Sequence, residues 1–174
     1  MRKIAAGAIS AVLTVFVGGL PAAAQTQTYL DRDGGPGTAI QSVTVENGSQ
    51  ALRVTMKHKR VLHKDVVWID TRASDPGPEY RVSFLANSDS LSFRRVESFQ
   101  TGAGKPWACS NAEAHSNNSA PGARSWINIP QGCLSGPGRV RVQTKSTNHK
   151  GVVDMAPNKG KYGPAWFTPW VPQG

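Results

Sequence analysis

Residues 40–57 read IQSVTVENGSQALRVTMK, and this stretch decides the fold class. Two apolar–polar alternations, IQSVTVE at 40–46 and ALRVTMK at 51–57, flank NGSQ at 47–50. A period of two sends successive side chains to opposite faces of an extended chain, and Asn-Gly between two such runs is a strong hairpin signal. Leu52, Val54 and Met56 therefore share one face, while Arg53, Thr55 and Lys57 share the other. We expect an antiparallel hairpin with one dry side.

The same pattern recurs further along. VVWID at 66–70 is short and mostly apolar, and EYRVSFL at 79–85 puts Tyr80, Val82 and Phe84 on one face. LSFRRVESF at 91–99 alternates irregularly, which predicts a bulge at Arg94-Arg95. SWINI at 125–129 and RVRVQTK at 139–145 complete seven short strands bounded by Gly, Pro, Asn, Asp or Ser. No window holds a helical period beyond a turn or two. The expectation is an all-β chain, a single antiparallel β-sandwich of about seven to eight strands over residues 40–149. A small closed barrel is the alternative, and the pattern does not separate the two. Residues 25–39, QTQTYLDRDGGPGTA, read as a flexible lead-in, and residues 150–174, rich in Pro, Gly and Trp, as an irregular tail.

Met1-Arg2-Lys3 is a short cationic start, followed by an apolar run from Ile4 to Leu20. Pro21 breaks it, and Ala22-Ala23-Ala24 matches the small-residue pattern of a signal cleavage site. A membrane anchor is the competing reading, but 17 residues interrupted by glycines are short for about 30 Å of hydrocarbon. We expect residues 1–24 to be a signal peptide, leaving a secreted, extracellular chain with no membrane span. Losing Arg2 and Lys3 lowers the basic count from 20 to 18 against 11 acidic residues, a net charge of +7. That favours solubility and attraction to polyanions without bearing on the fold.

Export sets the reading of Cys109 and Cys133, the two cysteines of the chain. In an oxidising compartment an even pair predicts a disulfide, here closing a polar loop that contains SNAEAHSNNSAPGAR. Two isolated cysteines lack the partners of a zinc site, and a catalytic thiol is poorly suited to the outside of a cell. We expect the crosslink to hold that loop in place.

An acidic, glycine-rich start, a Val-rich hairpin, VVWIDTR, PGPEYRVSF and CLSGPGRVRV follow one another between about residues 31 and 145. In this succession the chain resembles a group of uncharacterised exported β-sandwich proteins of actinobacteria. It is more distantly similar to carbohydrate-binding and DOMON-like sandwiches, whose members bind sugars or haem. The resemblance implies a sandwich scaffold. It carries no ligand residue over, and no Met/His pair suited to haem stands out.

KHKRVLHK at 57–64 is the densest chemical feature: Lys57, His58, Lys59, Arg60, His63 and Lys64, with no acid among them. Such a cluster can hold phosphate or sulfate groups by charge and counterion release. Nucleic acid is disfavoured, because no stacking aromatics interleave. The plain alternative is a solvated connection between two strands. The row Arg139, Arg141, Gln143 and Lys145, opposite Val140, Val142 and Thr144, is read the same way, as an outward basic face or an ordinary solvated one. Asp31 and Asp33 in DRDGGPG suggest a calcium site, although position twelve of an EF-hand would be Ser42 rather than Glu. Calcium is thus the candidate cofactor. Asp70, Asp75 and Glu79 surround a Pro-Gly-Pro turn in which nothing predicts their burial, so they fit turn chemistry better than glycoside hydrolysis. His58, His63, His115 and His149 are scattered over loops, with no H-E-x-x-H and no G-x-S-x-G motif. Trp166 and Trp170 can stack on sugar rings or dock the tail onto the domain, whereas Trp68 and Trp126, within strands, are expected in the core.

These readings favour a secreted, monomeric, non-enzymatic binding or surface module for an anionic or carbohydrate polymer. The alternatives are a structural or inhibitor protein acting through the disulfide-held loop, and a secreted hydrolase whose site the sequence does not reveal.

Overall fold

The structure, a computed structural model, describes residues 23–31, 40–60, 62–75, 77–86, 88, 90–99, 104–118, 122–157 and 167–174. Among them run twelve strands: β1 (Gln25–Leu30), β2 (Ile40–Asn47), β3 (Ala51–His58), β4 (Lys64–Asp70), β5 (Tyr80–Leu85) and β6 (Leu91–Arg95), then β7 (Lys105–Pro106), β8 (Glu113–Asn117), β9 (Arg124–Pro130), β10 (Arg139–Thr147), β11 (Val153–Ala156) and β12 (Val171–Pro172). A single 3-10 turn, Gln131–Leu134, follows β9. The strands form two antiparallel sheets. One is five-stranded in the order β1-β2-β3-β9-β8; the other runs β11-β10-β4-β5-β6-β7, with β12 also paired to β10.

The expected hairpin is β2–β3, and its register sets Val43 opposite Met56 and Val45 opposite Val54. All four are buried, whereas Arg53 and Lys57 are exposed, as the alternation requires. Val43, Val45, Leu52, Val54, Ile127 and Ile129 from the five-stranded sheet meet Val67, Ile69, Val82, Phe84, Val140 and Val142 from the other in one continuous core. Burying each such side chain contributes about 1.5–3 kcal/mol, so this shared interior holds the two layers together.

The strand count exceeds the expected seven to eight. Residues 25–30 of the supposed lead-in form β1, and the supposed irregular tail supplies β11 and β12. β8 lies inside the polar loop between the cysteines. β1 and β8 are edges of the five-stranded sheet and expose or half-expose every residue. An edge strand can be held by backbone hydrogen bonds alone, so it needs no apolar alternation to announce it. The bulge expected at Arg94-Arg95 is absent, since both residues pair in regular register with Arg81 and Tyr80. The register shift falls instead between Ile40 and Ser42.

Cys109 and Cys133 form the expected disulfide, with Cα atoms 5.4 Å apart. Cys109 lies between β7 of one sheet and β8 of the other, and Cys133 lies on the way back from β9 to β10. The bridge therefore staples two crossings between the layers, rather than only restraining a polar loop. Trp107 adds to it by donating from Nε1 to the Cys133 carbonyl at 3.2 Å. The chain end docks beside the first hairpin turn. Asn47 is fully buried, donates from Nδ2 to the Val171 carbonyl at 3.0 Å, and accepts from Gln131 Nε2 at 2.7 Å. Among the described residues no helix is long and apolar enough to cross a membrane.

Candidate functional site

The face of the five-stranded sheet turned away from the core is built from three cross-strand rows. The middle row runs Thr28, Thr44, Thr55, Trp126 and His115, one residue from each strand. Beside it lie Ser42, Lys57, Arg124 and Asn117 on one flank, and Glu46, Arg53, Asn128 and Glu113 on the other. These rows enclose a cleft of about 620 Å³, a volume within the range of small-molecule sites. Among the described residues that line it, Arg53, Lys57 and Arg124 contribute three positive charges against the carboxylate of Glu46. The Arg53 guanidinium lies 4.6 Å from the Trp126 ring centre, and the His115 ring lies 5.8 Å from it at a tilt of 36°. Indole, guanidinium and imidazole thus form one aromatic and cationic platform.

Trp126 was expected in the core. It faces the cleft instead, because Ser125, Ile127 and Ile129 are the inward residues of β9. The parity of SWINI carries this information: with both isoleucines turned in, the tryptophan between Ser125 and Ile127 must turn out.

The basic stretch at 57–64 is dispersed rather than gathered. Lys57 joins the cleft, and Lys59 sits with it at a shallow depression beside Leu30 and Gln41. Arg60 is exposed at the end of the strand connection. His63 packs against His149 with ring centres 4.6 Å apart, and Lys64 lies in β4, in the other sheet. His58 leaves the surface altogether, being 0% exposed. Its Nε2 is 3.0 Å from Ser125 Oγ, which donates to Asp65 Oδ2 at 2.5 Å. Asp65 also lies 3.4 Å from the same His58 nitrogen. A serine, a histidine and an aspartate in contact invite comparison with a hydrolase triad. In a triad the acid orients the imidazole from its far nitrogen and the serine reaches substrate. Here both oxygens crowd one nitrogen and all three side chains are fully buried, so the trio ties β3 and β9 to β4 across the core.

Trp170 is half-buried and shares its ring with two arginines. Arg139 and Arg141 lie 4.8 and 4.7 Å from its ring centre, and Arg141 also lies 4.7 Å from that of Phe167. The tail docks through Thr168, whose amide donates to the Val142 carbonyl at 2.8 Å and whose Oγ1 accepts from the Val142 amide at 3.0 Å. Trp166 lies outside the described residues, as does Asp33. Asp31 is half-buried, with its amide donating to the Gln41 carbonyl at 2.9 Å. Among the described residues no group of three or more His, Cys, Asp or Glu side chains is arranged to hold a metal ion. The outward row of β10 is also altered, because Gln143 is buried and Arg141 pairs with Asp70.

The turn carboxylates are less exposed than the sequence suggested. Asp70 is fully buried and accepts from Arg141 Nε at 2.7 Å and from the Arg72 amide at 3.0 Å. Burial pushes its carboxyl above the usual range, with the Arg141 hydrogen bond opposing. Glu79 accepts from the Thr71 amide at 2.6 Å and from its hydroxyl at 3.0 Å. Burial raises this group as well, and the charge of Asp70 adds to the rise. Asp75 is exposed at the rim of a cleft that Glu79 and Glu97 also line.

The opposite outer face, on the second sheet, is largely closed. Val66, Trp68 and Phe167 form a second apolar cluster there, with Val96, Phe99 and Met155 packed against it. Phe99 meets Trp68 edge-on at 5.8 Å. No family model, curated protein or solved structure matches the chain, so its chemistry is read from these two faces alone.

Proposed function

We propose that the chain is an exported, non-enzymatic β-sandwich module that binds an anionic carbohydrate polymer on the outer face of its five-stranded sheet. The observation that carries this reading is Trp126 set among Arg53, Lys57 and Arg124 in one cleft. An indole supplies a flat apolar surface for the C–H face of a sugar ring. The flanking cations supply charge-assisted hydrogen bonds to carboxylate, sulfate or phosphate groups along the polymer. The two-sheet core and the resemblance of the strand succession to exported sandwiches support the same class.

The test is retention on immobilised uronate- or phosphate-bearing glycans, compared with a neutral glycan of the same linkage. Binding should weaken steeply with salt, as ion-pair contacts require. Trp126→Ala should weaken it by about tenfold or more, the loss of one stacking contact, while leaving the melting temperature almost unchanged. Equal retention of wild type and Trp126→Ala, or none even at low salt, would sink the proposal.

A further inference from the structure

Where β4 begins and β10 ends, Lys64 stands opposite Thr147. Just beyond that pair lie His63, on the connection into β4, and His149, in the turn between β10 and β11. The two imidazole rings meet there with centres 4.6 Å apart and planes tilted by 41°. Both are set on fixed backbone. The His63 amide donates to the Thr147 carbonyl at 2.8 Å, and the His63 carbonyl accepts from the Ala86 amide at 2.8 Å. In the turn, Asn148 Oδ1 accepts from the amides of Lys150 and Val152 at 2.8 and 3.0 Å. Gly151 closes the turn with φ at +76°, a conformation that favours glycine, and its amide donates to the Asn148 carbonyl at 3.0 Å. His149 is exposed and His63 is half-buried, so solvent reaches the pair.

We infer that His63 and His149 form a binding site for a divalent transition-metal ion that takes nitrogen ligands, with copper(II) the best fit. A metal about 2.0–2.1 Å from one nitrogen of each ring, with the two bonds at a right angle, sets the ring centres about 4.5 Å apart. Tetrahedral bonds would set them about 5.2 Å apart. The observed separation matches the right angle, the arrangement of neighbouring ligands in the tetragonal sites of copper(II) and nickel(II). Lys64 and Lys150 adjoin the two histidines along the chain, and their charge disfavours a hard ion such as calcium, which takes oxygen ligands. Neutral imidazole selects instead the first-row ions that bind nitrogen most tightly. Water fills the remaining coordination positions. A bound ion ties the connection into β4 to the β10–β11 turn. The site shares no residue with the glycan cleft, whose histidine is His115.

The experiment is titration of the untagged chain with copper(II) chloride, followed by electron paramagnetic resonance and thermal denaturation. One copper per chain should bind with coupling to two nitrogens, and the melting temperature should rise because the folded state alone holds the pair together. His63→Gln should weaken binding by about tenfold or more and leave coupling to one nitrogen. His149→Ala, at an exposed position, should do the same and covers the case in which the His63 variant folds poorly. His115→Gln and Trp126→Ala should leave copper binding unchanged, which separates this site from the cleft. Binding should weaken as pH falls below about 6.5, since protons compete for the same nitrogens. Excess calcium should not displace the copper. Coupling to fewer than two nitrogens in the wild type, binding that survives both His63→Gln and His149→Ala, loss of binding in His115→Gln, or displacement by calcium overturns the inference.

Discussion

Trp68 and Trp126 both occupy strands and both point away from the core shared by the two sheets, yet they end in opposite surroundings. Trp68 is 2% exposed beneath Phe167 of the docked tail and Phe99. Trp126 is half-exposed at the rim of a polar cleft, with Arg53 and His115 as its ring neighbours. The difference comes from what covers each sheet. One outer face receives the chain end and gains a second apolar cluster; the other receives nothing among the described residues and keeps a ring beside three cations. A buried indole contributes to stability, whereas an indole on a charged open face is available for recognition.

The sharpest way to break this comparison is to truncate both rings. Trp68→Ala should lose about 3–5 kcal/mol of unfolding free energy in a denaturant titration, as large aromatic deletions in packed sites do. Equal losses from Trp68→Ala and Trp126→Ala would show that the two faces are covered alike.

Next in size is the bond that holds the cover in place. Arg141 pairs with buried Asp70 at 2.5 Å and spans Phe167 and Trp170, so Asp70→Ala should detach the tail from the second sheet. Arg141 is 21% exposed, and we therefore expect about 2 kcal/mol rather than the larger loss of a fully buried pair. Protease cleavage within residues 157–170 should accelerate in parallel; unchanged cleavage would separate the ion pair from tail docking.

The third test uses pH. The folded-state pKa of Glu79 is raised, so the folded chain binds more protons than the unfolded one just above the ordinary carboxylate range. The resulting stability is fully present below the unfolded value and is lost as pH rises through the folded one. The melting temperature of Glu79→Gln relative to wild type should therefore climb between about pH 4.5 and neutrality. A flat difference across that window would remove burial as the dominant influence on this carboxyl.

The smallest stability effect belongs to the open face. Trp126→Ala should cost less than about 1 kcal/mol, since the ring closes no cluster and only stacks with Arg53 and His115. A larger loss would recast Trp126 as part of the scaffold.

Legibility followed burial. The strands at 40–46, 51–57, 66–70, 79–85, 125–129 and 139–145 announced themselves because each buries alternate apolar residues, and all six are present within two residues at their ends. β1, β8 and β11 did not, since QTQTYL, EAHSN and VDMA carry little apolar alternation and are held by pairing to a neighbour. Of the candidate site, Lys57 was legible from composition, and Trp126 was present in the parity of β9 but was outweighed by the general preference of strand tryptophans for the core. The scattering of KHKRVLHK was not legible. It follows from a crossing between sheets in the middle of the stretch, which sends Lys57 to one face, His58 inward and Lys64 to the opposite face.

The sequence by itself determined what depends on neighbours along the chain. It set the extended conformation, the wet and dry sides of each central strand, and, given export, the pairing of the two cysteines. Tertiary structure alone decided which wet sides stay wet. Alternation fixes only that a side chain leaves the core, and what it meets next depends on segments far along the chain, such as Phe167 over Trp68. The same long-range packing decided which charges gather, placing Arg81 opposite Arg94 and Arg53 over Trp126, because strand order is set by the whole core rather than by any one stretch.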